Sequence, residues 1–331
     1  MNDTGIGRSR AFGSSPAMTG EPTTCRLCGA TRIRCLGAIP DSDYFAGRVL
    51  PQAIDGGHLW RCEACASMFR HPVLPDSAYL ALYAQGAADE WRGDEGRQDL
   101  SIIRTMIAEA GTAAGAGKVP VRVLDVGCGS GDFLVSLPPE LAKFGIEPSV
   151  AAAAAATHRG VTVAAPTLED WPARGGFDVI TMIDVIEHVA LPQRLLDAAL
   201  PHLAPGGRLI IATGDAGHGL WRRVFQSRFW YSSFPEHISF PSFEFFNLWQ
   251  RARGLQTPTV VQLKYRHMPV VTRSLHVASQ MIFWASPALL NGVGRGIHAL
   301  RRTPGPRRRF FSPGAPGVFT DHQIVVIRRA P

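Results

Sequence analysis

The chain reads as an α/β protein, a parallel sheet covered by helices on both faces with a small cysteine-bearing module ahead of it. Three observations predict this. After Lys118, short apolar runs of strand length alternate with helical runs, the pattern of a parallel sheet. The first of those strands, Val121–Val126, runs straight into a glycine-rich turn that opens a helix. Four of the six cysteines form two pairs, Cys25 with Cys28 and Cys62 with Cys65, each enclosing two residues, a spacing suited to a metal.

Along the chain, residues 1–20 are rich in Gly, Ser, Thr and Pro, which predicts a disordered tail. They lack the basic start and apolar run of a secretion signal, so the expected compartment is the cytoplasm. Residues 21–75 hold both cysteine pairs in Gly-, Pro- and Asp-rich sequence, too small and turn-rich to fold without a staple. Cysteines in such a compartment point to metal or packing, not disulfides. Residues 76–118 form a helical connector: Tyr79, Leu82 and Tyr83 share one face, and Leu100, Ile103, Met106 and Ile107 mark a second helix. The remainder, 119–331, is one domain with strands expected at Val121–Val126, Lys143–Ile146, Val161–Ala165, Phe177–Ile183, Arg208–Thr213, Thr257–Tyr265 and His322–Arg328, and an insertion at about 266–318. The alanine run at 151–156 predicts a helix capped by Ser149 and closed by Gly160.

The turn after the first strand is Asp125-Val126-Gly127-Cys128-Gly129-Ser130-Gly131. Glycines belong where the backbone must turn tightly and let a ligand approach with no Cβ in the way. Their spacing departs from the dinucleotide form G-x-G-x-x-G. Cys128, between two of them, reads as a small packing residue. The second strand ends in Gly145-Ile146-Glu147-Pro148, with a carboxylate placed to accept ribose hydroxyls of either an adenosyl or a nicotinamide cofactor. Thr167-Leu168-Glu169-Asp170 follows the third strand, Asp184-Val185-Ile186-Glu187-His188-Val189 ends the fourth, and Leu203-Ala204-Pro205-Gly206-Gly207 turns into the fifth. In this order the motifs resemble the class I S-adenosylmethionine-dependent methyltransferases over roughly 119–265 plus the last strand. The resemblance implies a Rossmann-like seven-stranded sheet whose final strand inserts antiparallel beside the sixth, and an enzyme using S-adenosylmethionine. It implies that Asp125, Gly127, Gly129 and Gly131 cradle the methionine part and ribose. Glu147 would bind the ribose hydroxyls, Leu168 and Glu169 would lie by the adenine, and Asp184 would face the cofactor.

Two pairs of closely spaced thiolates can meet one tetrahedral zinc, so Cys25, Cys28, Cys62 and Cys65 are the expected ligands of a structural Zn²⁺ in a zinc-ribbon-like module. With four sulfur ligands no position is open for water, and the long loop between the pairs adds little closure entropy. The surrounding residues, including Leu36-Gly37-Ala38-Ile39-Pro40, Asp43-Tyr44-Phe45 and Arg70-His71-Pro72, resemble the N-terminal zinc-binding region of bacterial methyltransferases related to sugar C-methyltransferases. The further C-terminal domain of those enzymes is not evident. This points to a small-molecule or glycan, sugar-related acceptor methylated on oxygen or carbon.

Such acceptors call for a general base. His188 after the fourth strand and His237, in the loop Tyr231–Phe240 after the fifth, are the candidates; each is equally a residue that orders its own loop. Two other classes stay open: a ribosomal RNA methyltransferase with a zinc module, and a non-catalytic cofactor-binding scaffold. The formal charge is +7, yet residues 291–331 carry eight arginines against Asp321 alone, leaving 1–290 neutral. That balance argues against nucleic acid near the cysteine module. It sets the basic excess beside an apolar helix expected at Leu275–Leu290, so residues 274–311 read either as a helix packed on the domain with a solvated Arg-rich loop or as a peripheral contact with the inner face of a membrane. Ser274–Gly294 is too polar to span one.

Overall fold

The computed structural model describes residues 20–87, 97–113, 120–171, 176–217, 224–264, 269–290, 292 and 320–330. Residues 1–19 of the expected tail, and the arginines from 295 to 309, lie outside the described residues. In chain order the elements are β1 (Ile33–Ala38), β2 (Ser42–Phe45), β3 (Arg48–Ile54), β4 (His58–Cys62), β5 (Met68–His71), α1 (Asp76–Ala84), α2 (Gln98–Ala113), β6 (Arg122–Val126), α3 (Asp132–Val135), β7 (Ala142–Ile146), α4 (Val150–His158), β8 (Thr162–Ala165), β9 (Phe177–Ile183), α5 (Pro192–Ala199), β10 (Leu203–Gly214), β11 (Ser239–Phe240), α6 (Phe243–Arg251), β12 (Thr259–Lys264), α7 (Val270–Ala285) and β13 (Thr320–Arg328).

Side chains alternate across a strand, so a sheet buried on both faces needs apolar residues at consecutive positions. In β10, Leu209 and Ile211 pack with Leu196 and Ala199 of α5 and Phe245, Phe246 and Trp249 of α6. Ile210 and Ala212 join Leu100, Ile103 and Ile107 of α2 and Ala156 of α4 on the opposite face. β13 repeats the alternation, with Val325 and Ile327 on the first face and Ile324 and Val326 on the second. The seven-stranded sheet has the order β12-β13-β10-β9-β6-β7-β8. β6 to β10 are parallel, and β13 lies antiparallel between β10 and β12. Each strand expected from the sequence is present, as is the antiparallel insertion of the last one. The fifth begins earlier than expected, at Leu203, because Leu203 already pairs with Phe177 before an irregularity reaching to Arg208. Helix α4 has its expected cap, the Ser149 hydroxyl accepting from the Ala152 amide at 3.3 Å, and Gly160 follows it at φ +85°.

The cysteine module is built on a second, four-stranded sheet, β1-β4-β5-β11. Its last strand comes from the large domain: Ser239 and Phe240 pair antiparallel with Phe69 and Met68, covering what would otherwise be an open edge. The cysteines also share a core with the large sheet, Cys25, Cys62, Cys65 and Phe69 clustering with Leu124 and Ile180. The apolar helix expected at 275–290 is α7, which stops at Ala285. Ser286 is extended, as suits a residue preceding proline.

Each cysteine pair is followed by a residue in the left-handed region, Gly29 at φ +78° and Ala66 at φ +57°. The second knuckle thus puts a Cβ where the first has none, at a cost of about 1 kcal/mol. Ala66→Gly is expected to stabilise the protein by about 0.5–1 kcal/mol in chemical denaturation; a loss of stability would mean that the methyl group's packing outweighs the backbone strain.

Candidate active site

Parallel strands bring the loops after β6, β7, β9 and β10 to one edge of the sheet. Asp125 is buried there near the end of β6 and accepts the Thr181 hydroxyl at 2.7 Å. Burial pushes its carboxyl up to about 7. Gly127, Gly129 and Gly131 have φ of +74°, +54° and +79°. A Cβ on Gly127 would come within 2.7 Å of Val185, and one on Gly131 within 3.2 Å of Val161 and Ala156, whereas one on Gly129 would meet nothing within 4 Å. Gly127 and Gly131 therefore serve close packing, and Gly129 fronts open space in a turn that leaves its amide pointing at Glu147. Glu147 Oε2 accepts from that amide at 2.8 Å and Oε1 from the Ser149 amide at 2.7 Å. Each oxygen has a second lone pair for a ribose hydroxyl. Burial raises the Glu147 carboxyl, and the two amides partly offset it.

Asp184, just beyond β9, is a non-glycine residue at φ +53°. Its amide donates to Ala212 and its carboxylate meets Arg97 at 2.8 Å. Arg97 also grips Asp99 at 2.6 Å in the first turn of α2, so the helical connector closes on this edge. Nothing in the spacing around Arg97 marked it in the sequence. Leu168 turns its side chain into the core and Glu169 is exposed. Cys128 packs where a Cβ on Gly145 would clash with its sulfur, and burial raises its thiol far from the thiolate range.

On the same edge of the sheet is a wall built from the loop after β10. His237 Nδ1 lies 2.8 Å from the Tyr231 carbonyl. A carbonyl only accepts, so Nδ1 carries the proton and Nε2 keeps its lone pair. The His188 ring stands edge-on to it, centroids 5.0 Å apart, with Nδ1 2.8 Å from the hydroxyl of Tyr83 on α1. Burial holds His188 down to about 4 and His237 well below its ordinary value, so both are neutral at pH 7. Glu187 is fully buried beneath them; its oxygens accept the hydroxyls of Thr213 and Tyr231, and Tyr231 in turn accepts from the Gly214 amide at 3.0 Å. Glu187, His188 and His237 bring potential ligand atoms within 4.8 Å of one another. With Glu187 engaged by two hydroxyls and His188 by Tyr83, the group is arranged as a hydrogen-bonded wall.

The four cysteines meet as expected. Sγ of Cys25 and Cys65 are 3.8 Å apart, those of Cys28 and Cys62 3.6 Å, and all four lie within 4.8 Å. A tetrahedron with Zn–S of about 2.3 Å has edges of about 3.8 Å, so the donor set fits. The module also holds the wall. Arg26, between Cys25 and Cys28, donates to the carbonyls of Arg70 and of Ile238, the latter at 3.0 Å. Arg70 donates to those of Ser232 and Phe234 at 3.2 and 2.8 Å. Glu236 Oε1 accepts from the amide of Ala46 at the tip of the β2–β3 hairpin. Ser242, whose hydroxyl caps α6, donates to the Cys65 carbonyl.

Fold and site together define an α/β protein whose first parallel strand opens into a glycine turn, the frame of a nucleoside-cofactor enzyme. A family model described as a methyltransferase domain matches residues 97–260. A ubiquinone biosynthesis O-methyltransferase of Escherichia fergusonii is 33% identical over 164 residues, 46% of this chain and 68% of that protein. One from Caulobacter is 36% identical over 130 residues, 34% of this chain and 50% of that one, so the chain spans between about half and two-thirds of these relatives. The N-methyltransferase NodS of Bradyrhizobium japonicum, solved with S-adenosyl-L-homocysteine, is 15% identical, covers 77% of this chain and 96% of its own, and has a TM-score of 0.43. The chain belongs to the S-adenosylmethionine-dependent methyltransferase family.

The raised Asp125 carboxyl gives a pH signature. Its folded value of about 7 lies above the ordinary 3.8, so the stabilisation from its bound proton is complete below about 4 and is lost as pH rises through 7. Asp125→Asn keeps an acceptor for Thr181 without the charge. The cofactor-free variant should melt above wild type at pH 8, and the gap should narrow towards pH 5; a gap independent of pH would show that the carboxyl is not buried as described.

Proposed function

We propose that this protein methylates an oxygen, or a carbon beside a carbonyl, of a small acceptor, with His237 as general base. The observation that carries this is the hydrogen bond from His237 Nδ1 to the Tyr231 carbonyl, which fixes the tautomer and leaves the Nε2 lone pair free to accept a proton. S-adenosylmethionine, when bound, supplies a methyl group on a cationic sulfur that leaves as a neutral thioether. The cradle of Asp125, Gly129 and Glu147 would hold it, and the open space before Gly129 supports that reading. Leu168 and Glu169 would lie by the adenine, and Asp184, gripped by Arg97, would face the methionine part. His237 Nε2 takes the acceptor proton as the acceptor atom bonds to the methyl carbon. His188, hydrogen-bonded to Tyr83, acts as a positioning residue for that ring. The names of the curated relatives favour an oxygen acceptor, and the resemblance of the cysteine module favours a sugar-related or glycan one.

Incubated with labelled S-adenosylmethionine and cell extract, the wild type should label a metabolite or glycan fraction. His237→Ala should lower that turnover by about 10²–10⁴ while leaving S-adenosylhomocysteine affinity unchanged in calorimetry. Since His237 is held well below its ordinary 6.5, the acid limb of turnover should fall below pH 6.5. Label in RNA alone, or full turnover by the variant, would overturn the proposal.

The same reading gives Cys25, Cys28, Cys62 and Cys65 a structural Zn²⁺. Because Arg26, Arg70 and β5 hold residues 232–242, chelation should speed amide exchange across that loop while β6 and α4 stay protected. Uniform exchange with and without chelator would refute a metal at this site.

A further inference from the structure

Helix α7 packs inward through Gln280 and Phe283, with Val277 half-buried against the apolar cluster around Phe229 and Trp230. Gln280 is fully buried, accepting from the Trp230 amide at 3.0 Å and donating to the Arg228 carbonyl at 2.8 Å. Phe283 is its buried apolar neighbour. The outward side is apolar: Val271, Leu275, Ala278, Ile282 and Ala285 recur at alternating spacings of four and three, all exposed, with Met281 and Trp284 flanking them. Val271 is 73% and Leu275 66% exposed. A surface helix in water turns such a stripe to the core, and a contiguous exposed one marks an interaction site.

The charge of the sequence stretch that carries it selects what covers it. Between Gly254 and Asp321 the sequence holds nine Lys and Arg and no Asp or Glu. A second copy meeting this stretch of sequence would bring cations to cations, with no acid between Gly254 and Asp321 to pair them. An anionic bilayer offers acyl chains to the stripe and headgroups to the cations. No described helix is long and apolar enough to cross a membrane, and α7 has the form of a helix that lies in the interface plane. We propose that α7 docks the protein on an anionic membrane surface through Val271, Leu275 and Ile282. The docked helix is tied to the catalytic side, since Arg228 also donates to the Trp284 carbonyl and Trp230 precedes Tyr231, whose carbonyl orients His237.

The test is co-sedimentation of the full chain with phosphatidylglycerol–phosphatidylcholine vesicles and with pure phosphatidylcholine vesicles. Binding is expected to the first and to weaken sharply on the second or in high salt. The triple variant V271S/L275S/I282S should lose at least about tenfold in binding with unchanged S-adenosylhomocysteine affinity. Trp284 gives a second readout in the otherwise unaltered protein: a blue shift in fluorescence on adding anionic vesicles, absent in Trp284→Phe. Wild type that does not pellet, equal binding by the triple variant, or no dependence on anionic lipid would each overturn the proposal. A triple variant that binds vesicles as before but turns a dimer into a monomer would assign the stripe to a second copy.

Discussion

The backbone of residues 232–242 is the part of the site that the cysteine module and the large domain hold between them. Ser232, Phe234 and Ile238 give their carbonyls to two guanidinium groups buried in the cysteine module, and Ser239–Phe240 adds a strand to that module's sheet. Burying a guanidinium is costly unless its donors are met; hydrogen bonds from charged donors contribute about 1.5–3 kcal/mol each. The desolvation of Arg26 and Arg70 is thus partly offset, through Nη2 of each, by carbonyls of the loop that carries His237, while Nε and Nη1 of Arg26 and Nε of Arg70 have no hydrogen-bond partner among the described residues. The position of the cysteine module and the geometry of the loop that carries His237 are thereby linked.

The second organising constraint is the single edge. Parallel β6, β7, β9 and β10 end side by side, so the glycine turn, Glu147, Asp184 and the Glu187–His188 pair converge without any long-range signal of their own. On that edge the carboxylates and imidazoles are separated by environment. Asp125, Glu147 and Glu187 are buried and raised, while His188 and His237 are buried and lowered. Low dielectric penalises charge of either sign, so burial moves the acids up and the imidazoles down on the same edge.

Motifs that act through the backbone were readable. The three glycines, the acid ending the second parallel strand and the Ser149 cap depend on residue type at a fixed local spacing, and each is found in its expected place. The cysteine quartet was readable for the same reason, since each pair is a local turn. Arg97, Tyr83 and Tyr231 were not assigned their contacts, because each acts on a partner far along the chain: Arg97 on Asp184, Tyr83 on His188, and Tyr231 on Glu187. Arg26 and Arg70 carry no motif, and in a chain with 34 Lys and Arg nothing separates these two from surface cations.

The sequence by itself determined the α/β sheet, the glycine turn and the two cysteine turns, since apolar periodicity and local turn chemistry specify these, while the antiparallel place of the last strand came from the family resemblance. Only the tertiary structure decided that the cysteine module and the large domain share a strand and a core, that His237 carries its proton on Nδ1, and that α7 turns its apolar stripe outward. Those outcomes depend on which distant carbonyl, hydroxyl or edge a group meets after the chain has closed on itself, and a linear pattern holds no record of such meetings.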